Sequence, residues 1–124
     1  MGARLMIVIV AGVAMSVGVY SQQPLTVRGE IVEVSCYTKL GIEKSTGAGH
    51  VACAKECAAK GQPLGILTDG DGLLKITGEY ADAQFAKLTP YIGRQVEVTG
   101  TPDRYLDYSR AIRVTKLAPV STKK

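Results

Sequence analysis

The sequence contains no tryptophan, one phenylalanine, one histidine and three cysteines. The only histidine, His50, lies in the same stretch as all three thiols, Cys36, Cys53 and Cys57, so no Ser-His-acid set can be assembled independently of them. Glycine is frequent, yet it spells neither a Walker loop nor a dinucleotide fingerprint. Asp69 and Asp71 resemble half a calcium loop, but the downstream glutamate at the required spacing is missing and they read as turn residues. Glu79, Asp82, Asp103 and Asp107 form no evident acid/base pair. These absences argue against an enzyme. The 15 basic residues exceed the 11 acidic ones by a mild +4 and are scattered, which favours solubility and weak attraction to anionic surfaces. There is no internal repeat or low-complexity tract, and nothing suggests a second domain.

Long apolar runs are missing except at the start. "MGARLMIVIVAGVAMSVGVYSQQ" has one basic residue, Arg4, then an uncharged run from Leu5 to Tyr20. It reads as a signal peptide over residues 1–21, with "VYS" offering a small residue at the cleavage point. The run falls short of the roughly 20 apolar residues of a comfortable membrane span, so membrane contact is expected only if this segment stays uncleaved. Residues 22–124 then form one exported domain, periplasmic or secreted. Outside the cytoplasm thiols tend to pair, and three cannot all pair within one chain. One is left free, bridged to another molecule, or held by a metal.

"LTVRGEIVEVSC" alternates as a half-buried strand. Leu25, Val27 and Ile31 share one parity and Val32, Val34 and Cys36 the other, so the strand is expected to change its inward face through a bulge or coil near Gly29. "TKLGIEKSTGAG" reads as a loop and "HVACAKECAAK" as an alanine-rich helix ended by Gly61 and Pro63. "PLGIL" and "LLKITG" form a hairpin across "TDGDG". "ADAQFAKL" reads as a second short helix closed by Pro90, and "RQVEVTG" and "RAIRVTKL" are two more strands. The expected class is mainly β with α+β content. Five short strands with a helix between the third and fourth suggest a small OB-like barrel, and the cysteine segment, about residues 36–63, is a helical insertion between strands 1 and 2.

Three sulfurs and one imidazole nitrogen make a tetrahedral set for Zn(II) and suit Cu(I) almost as well, one ion per chain. Cys53 and Cys57 stand one turn apart on one helical face, and Cys36 is expected to approach from the end of the first strand. On a continuous helix His50 would be about 10 Å in rise from Cys57, with its side chain leaning away, so it must belong to the preceding loop and fold back. Four protein ligands would close the site and make zinc structural, whereas Cu(I) would make the protein a carrier or buffer. Val51, Ala54 and Ala58 form an apolar stripe beside the cysteines, small enough to let the helix approach a barrel. Lys39, Lys44, Lys55 and Lys60 read as a wet surface.

Other readings remain open at this level. Cys36 could form a disulfide with Cys53 or Cys57, leaving an OB-type binding module of the cell envelope with no metal. Redox chemistry through Cys-x-x-Cys lacks its spacing. Haem attachment is excluded by residue order, while haem ligation by His50 alone ranks behind zinc or copper. For ligand binding the candidates are Tyr37, Arg104, Tyr105, Tyr108 and Arg110, a thin platform whose simpler role is loop anchoring. Export places most nucleic acid out of reach, so a glycan or envelope protein is the expected partner of such a module.

"GEIVEVSCY", then "H..CA..C", then "G.PLGIL" resembles a group of small exported bacterial proteins with an OB-like domain and no assigned reaction. "LTPYIGRQVEVTGT" is similar to the passage into their fourth strand. The resemblance covers most of residues 22–124, and it implies that Cys36, His50, Cys53 and Cys57 act together.

Overall fold

The computed structural model describes residues 22–121, together with Gly12 and Gly18. The expected signal peptide otherwise lies outside the described residues. Among the described residues no helix is long and apolar enough to cross a membrane.

Five strands close into a ring: β1 (Leu25–Glu33), β2 (Leu64–Thr68), β3 (Gly72–Thr77), β4 (Gln95–Arg104) and β5 (Arg110–Pro119), in the order β1-β2-β3-β5-β4. All neighbours are antiparallel except β3 and β5, which pair in parallel through Ile76 and Ile112. The β2–β3 hairpin forms where the Asp-Gly turn places it, with Thr68 opposite Gly72. Thr68 Oγ1 accepts from the Asp71 N–H and donates to the Gly72 carbonyl, closing that turn.

Alternation fills the ring. Ile31, Leu64, Ile66, Ile76, Val96, Val98, Ile112 and Val114 point inward and are at most 1% exposed. Burying each such side chain contributes about 1.5–3 kcal/mol, so this core supplies most of the domain's stability.

Strand β1 departs from the expected change of face. Leu25 and Val27 pack against the core that contains Ile31, so the odd positions face inward throughout. Val32 and Val34 are buried outside that core. Both sides of the strand are covered at its end, which mixed the two parities in the sequence. The bend is real: residues 25–30 pair with β4 and residues 29–33 with β2. At Gly29, paired with both, a Cβ would overlap the Leu67 carbonyl, so the crossing requires glycine.

The segment between β1 and β2 is more helical than its composition suggests. It holds α1 (Val34–Leu40), α2 (Ile42–Ser45), a 3-10 turn (Ala48–His50) and α3 (Val51–Ala59). The expected loop over "TKLGIEKSTGAG" is corrected to two short helices broken at Gly41. Hydroxyls that favour loops here donate to the preceding turn: Thr38 to Val34, Ser45 to Gly41 and Thr46 to Ile42. Helix α3 forms as expected and turns Ala54 and Ala58, each 1% exposed, into the barrel core.

Between β3 and β4 the expected helix over "ADAQFAKL" shrinks to a single irregular turn, α4 (Asp82–Phe85), in which Ala83, Gln84 and Phe85 have φ of 51°, 56° and 60°. Left-handed backbone costs roughly 1–2 kcal/mol per residue. Burial of Phe85, Leu88 and Ile92 against the barrel offsets it.

Candidate metal centre

Cys36 is not on a strand. Glu33 ends β1 and caps α1: its Oε1 accepts from the Ser35 N–H at 2.9 Å and its Oε2 from the Cys36 N–H at 2.6 Å. The Ser35 hydroxyl donates to both oxygens, at 2.7 and 2.8 Å. A carboxylate at a helix start satisfies amides that have no partner inside the helix and opposes the positive end of its dipole. The cap therefore turns the chain into a helix and places Cys36 in its first turn, correcting the expected approach from a strand end.

Cys53 and Cys57 project from α3 one turn apart, and their neighbours Ala54 and Ala58 clamp that helix onto the barrel. The outcome is a cluster in which the Cys36, Cys53 and Cys57 sulfurs all lie within 4.8 Å of one another. Tetrahedral Zn–S bonds of about 2.3 Å imply sulfur separations of roughly 3.8 Å. Small side-chain adjustments would bring the three onto one ion, and the donor set fits a thiophilic metal. All three cysteines are free thiols. The disulfide expected under the alternative reading is not formed.

His50 does not belong to this group. It ends the 3-10 turn immediately before α3, and its N–H donates to the Gly47 carbonyl at 3.3 Å. Its Nε2 is enclosed by protein without a hydrogen-bond partner. Glu30 holds the same loop from the barrel side, with Oε1 accepting from the Gly47 N–H at 3.0 Å.

The cluster is graded in exposure: Cys36 is the most sheltered, Cys57 is half-buried and Cys53 is exposed. Burial first, then the hydrogen bond to Glu33 and its charge, and then the other two thiols, push the Cys36 thiol up to about 12. Burial would also raise Glu33, but hydrogen bonds from Cys36 and Ser35 outweigh it and hold the carboxyl below its usual range. Cys36 is therefore protonated at neutral pH and unsuited to be a nucleophile. A metal ion binding there must displace its proton. Glu33 was missed in the sequence, where only its position three residues before Cys36 could have signalled the cap.

The aromatic and basic candidates are divided. Tyr37 lies on α1 and lines a groove of about 400 Å³ with Glu30, Ile42, Thr46 and Thr68. Arg104 and Arg110 line a separate cavity of about 210 Å³ with Asp71, Asp103 and Leu74. Arg110 is held by the Asp71 carbonyl at 2.9 Å, and Arg104 donates to the Tyr108 carbonyl at 3.3 Å. The Lys75 ammonium sits over the Tyr105 ring, 4.6 Å from its centre. Tyr108 is exposed with φ of 62°. Tyr108 joins the β4–β5 loop through its backbone alone, and the other tip groups tie that loop to itself or to the β2–β3 turn.

No protein-family model, curated protein or solved structure matches the chain.

Proposed function

We propose that this is an exported metal-binding protein with an OB-like barrel, in which Cys36, Cys53 and Cys57 hold a thiophilic ion, Zn(II) or Cu(I). The observation that carries the reading is the convergence of three free thiols from two separate helices to within 4.8 Å. Thiolate donors select d10 ions over magnesium or calcium. The ring order β1-β2-β3-β5-β4 supports the OB reading. The apolar run after Arg4 supports export to the periplasm or beyond. We read the protein as a binder, not a catalyst. Bound metal would tie α1 to α3 and so fix the insertion on the barrel.

The test is elemental analysis of protein purified without chelator, with a thiol count. One zinc or copper per chain is expected in the wild type, and none in Cys36→Ser or Cys57→Ser. Metal content equal to wild type in both variants rejects the reading.

A further inference from the structure

Resting on that reading, we infer that the ion is Cu(I), held by the three thiolates without His50, and that Cys53 is the ligand through which it is exchanged. Among the described residues the ligand atoms within 4.8 Å of one another are three sulfurs, with no carboxylate or imidazole in the group. His50 precedes α3, three residues before Cys53 and seven before Cys57. His50 sits in the 3-10 turn, and neither ring nitrogen joins the ligand atoms that lie within 4.8 Å of one another. Structural zinc almost always takes four protein ligands. Monovalent copper is a soft d10 ion satisfied by three thiolates, so this donor set completes its sphere and leaves zinc one short.

The exposure gradient gives exchange a direction. The Cys36 N–H is anchored by Glu33, and Cys36 is the innermost sulfur. On the face of α3 that both share, Cys57 is half-buried beside Ala58, whereas Cys53 is exposed. An incoming thiolate donates a lone pair to copper from the solvent side and forms a new Cu–S bond. The Cu–S bond to Cys53 then breaks, and Cys53 leaves as a thiolate that takes a proton from water. Copper stays monovalent throughout and no electron is transferred. Cys57 and then Cys36 follow by the same step, so the acceptor is a thiol-bearing molecule or protein.

The test loads the purified, reduced protein anaerobically with Cu(I) or with Zn(II). X-ray absorption of the copper form should show three sulfur neighbours and no imidazole. Cys53→Ser, checked for folding by circular dichroism, should weaken Cu(I) binding against bathocuproine disulfonate by more than the roughly 100-fold cost of losing an outer-shell partner. His50→Ala should leave that affinity unchanged. Transfer from wild type to excess glutathione should speed up with thiolate concentration. An imidazole shell, equal loss in His50→Ala and Cys53→Ser, or transfer independent of thiolate concentration overturns this inference and leaves metal binding intact. Failure of both ions to bind when all three thiols are counted free overturns the metal reading as well.

Discussion

The hairpin β2–β3 buries Leu64, Ile66, Leu74 and Ile76 almost completely, while the insertion that precedes it buries mainly Val34, Ser45, Ala54 and Ala58. The first region is held by large aliphatic side chains interlocked across a closed ring. The second consists of helices each shorter than the ~12 residues at which isolated helices become even marginal. Its order comes instead from small residues that permit close approach and from polar bonds to the barrel and within the turns. Glu33 caps α1, Glu30 holds Gly47, and Thr38, Ser45 and Thr46 tie their own turns. The neutral hydroxyl bonds contribute about 0.5–1.5 kcal/mol each and those to the carboxylates about 1.5–3 kcal/mol. The lesson is a division of labour: the barrel stabilises, and the lightly held insertion carries the thiols.

The largest effect should come from the ring. Ile66→Ala, at a position with no exposure, should cost about 2–5 kcal/mol in denaturant unfolding through lost transfer energy and the cavity left behind. A cost no greater than that of an exposed substitution would remove the barrel from its place in the comparison.

Next comes the joint between the two regions. Ala58→Leu overfills the contact between α3 and the barrel and should cost about 1–3 kcal/mol. Hydrogen exchange should quicken across residues 34–63, and the Cys53 and Cys57 thiols should label faster, while β2 and β3 stay protected. Equal quickening in β2 and β3 would show that the two regions unfold as one.

The smallest effect belongs to the barrel's tip. Thr77 and then the Arg104 N–H and Arg113 hold Asp103 below its usual range, and Lys75 and then Ser109 do the same for Asp107. Depressed carboxylates stabilise the fold fully above the unfolded value of about 3.9 and lose that contribution as pH falls through their folded values. Thermal melts from pH 6 downward should therefore decline only below about pH 4, and less steeply in Lys75→Met. No difference between the two proteins would dismiss the Lys75–Asp107 pair, which is bonded at 2.6 Å with Asp107 exposed, as a contributor.

Strands and hairpin were legible because alternation and an Asp-Gly turn are local signals. Helix α3 was legible because alanines leave one apolar stripe beside the cysteines. α1 was hidden because its cap is a glutamate, not one of the residues that ordinarily mark a helix start. The helix over "ADAQFAKL" misled because Phe85 and Leu88 have helical spacing but reach the core through a left-handed turn. The thiols were identifiable as a group from their crowding in one stretch. That three of them meet within 4.8 Å in a group that does not include His50 was not, since Cys36 is seventeen positions from Cys53 and its place depends on the Glu33 cap.

Order along the chain settled the strands, the tight turn, the alanine helix and the crowding of soft donors, because each depends on neighbours a few residues away. Which donors meet, how deeply each is buried and how Cys36 is shielded were decided only when the ring closed and α3 packed against it. Those properties belong to contacts between residues remote in sequence, whose separation no local pattern encodes.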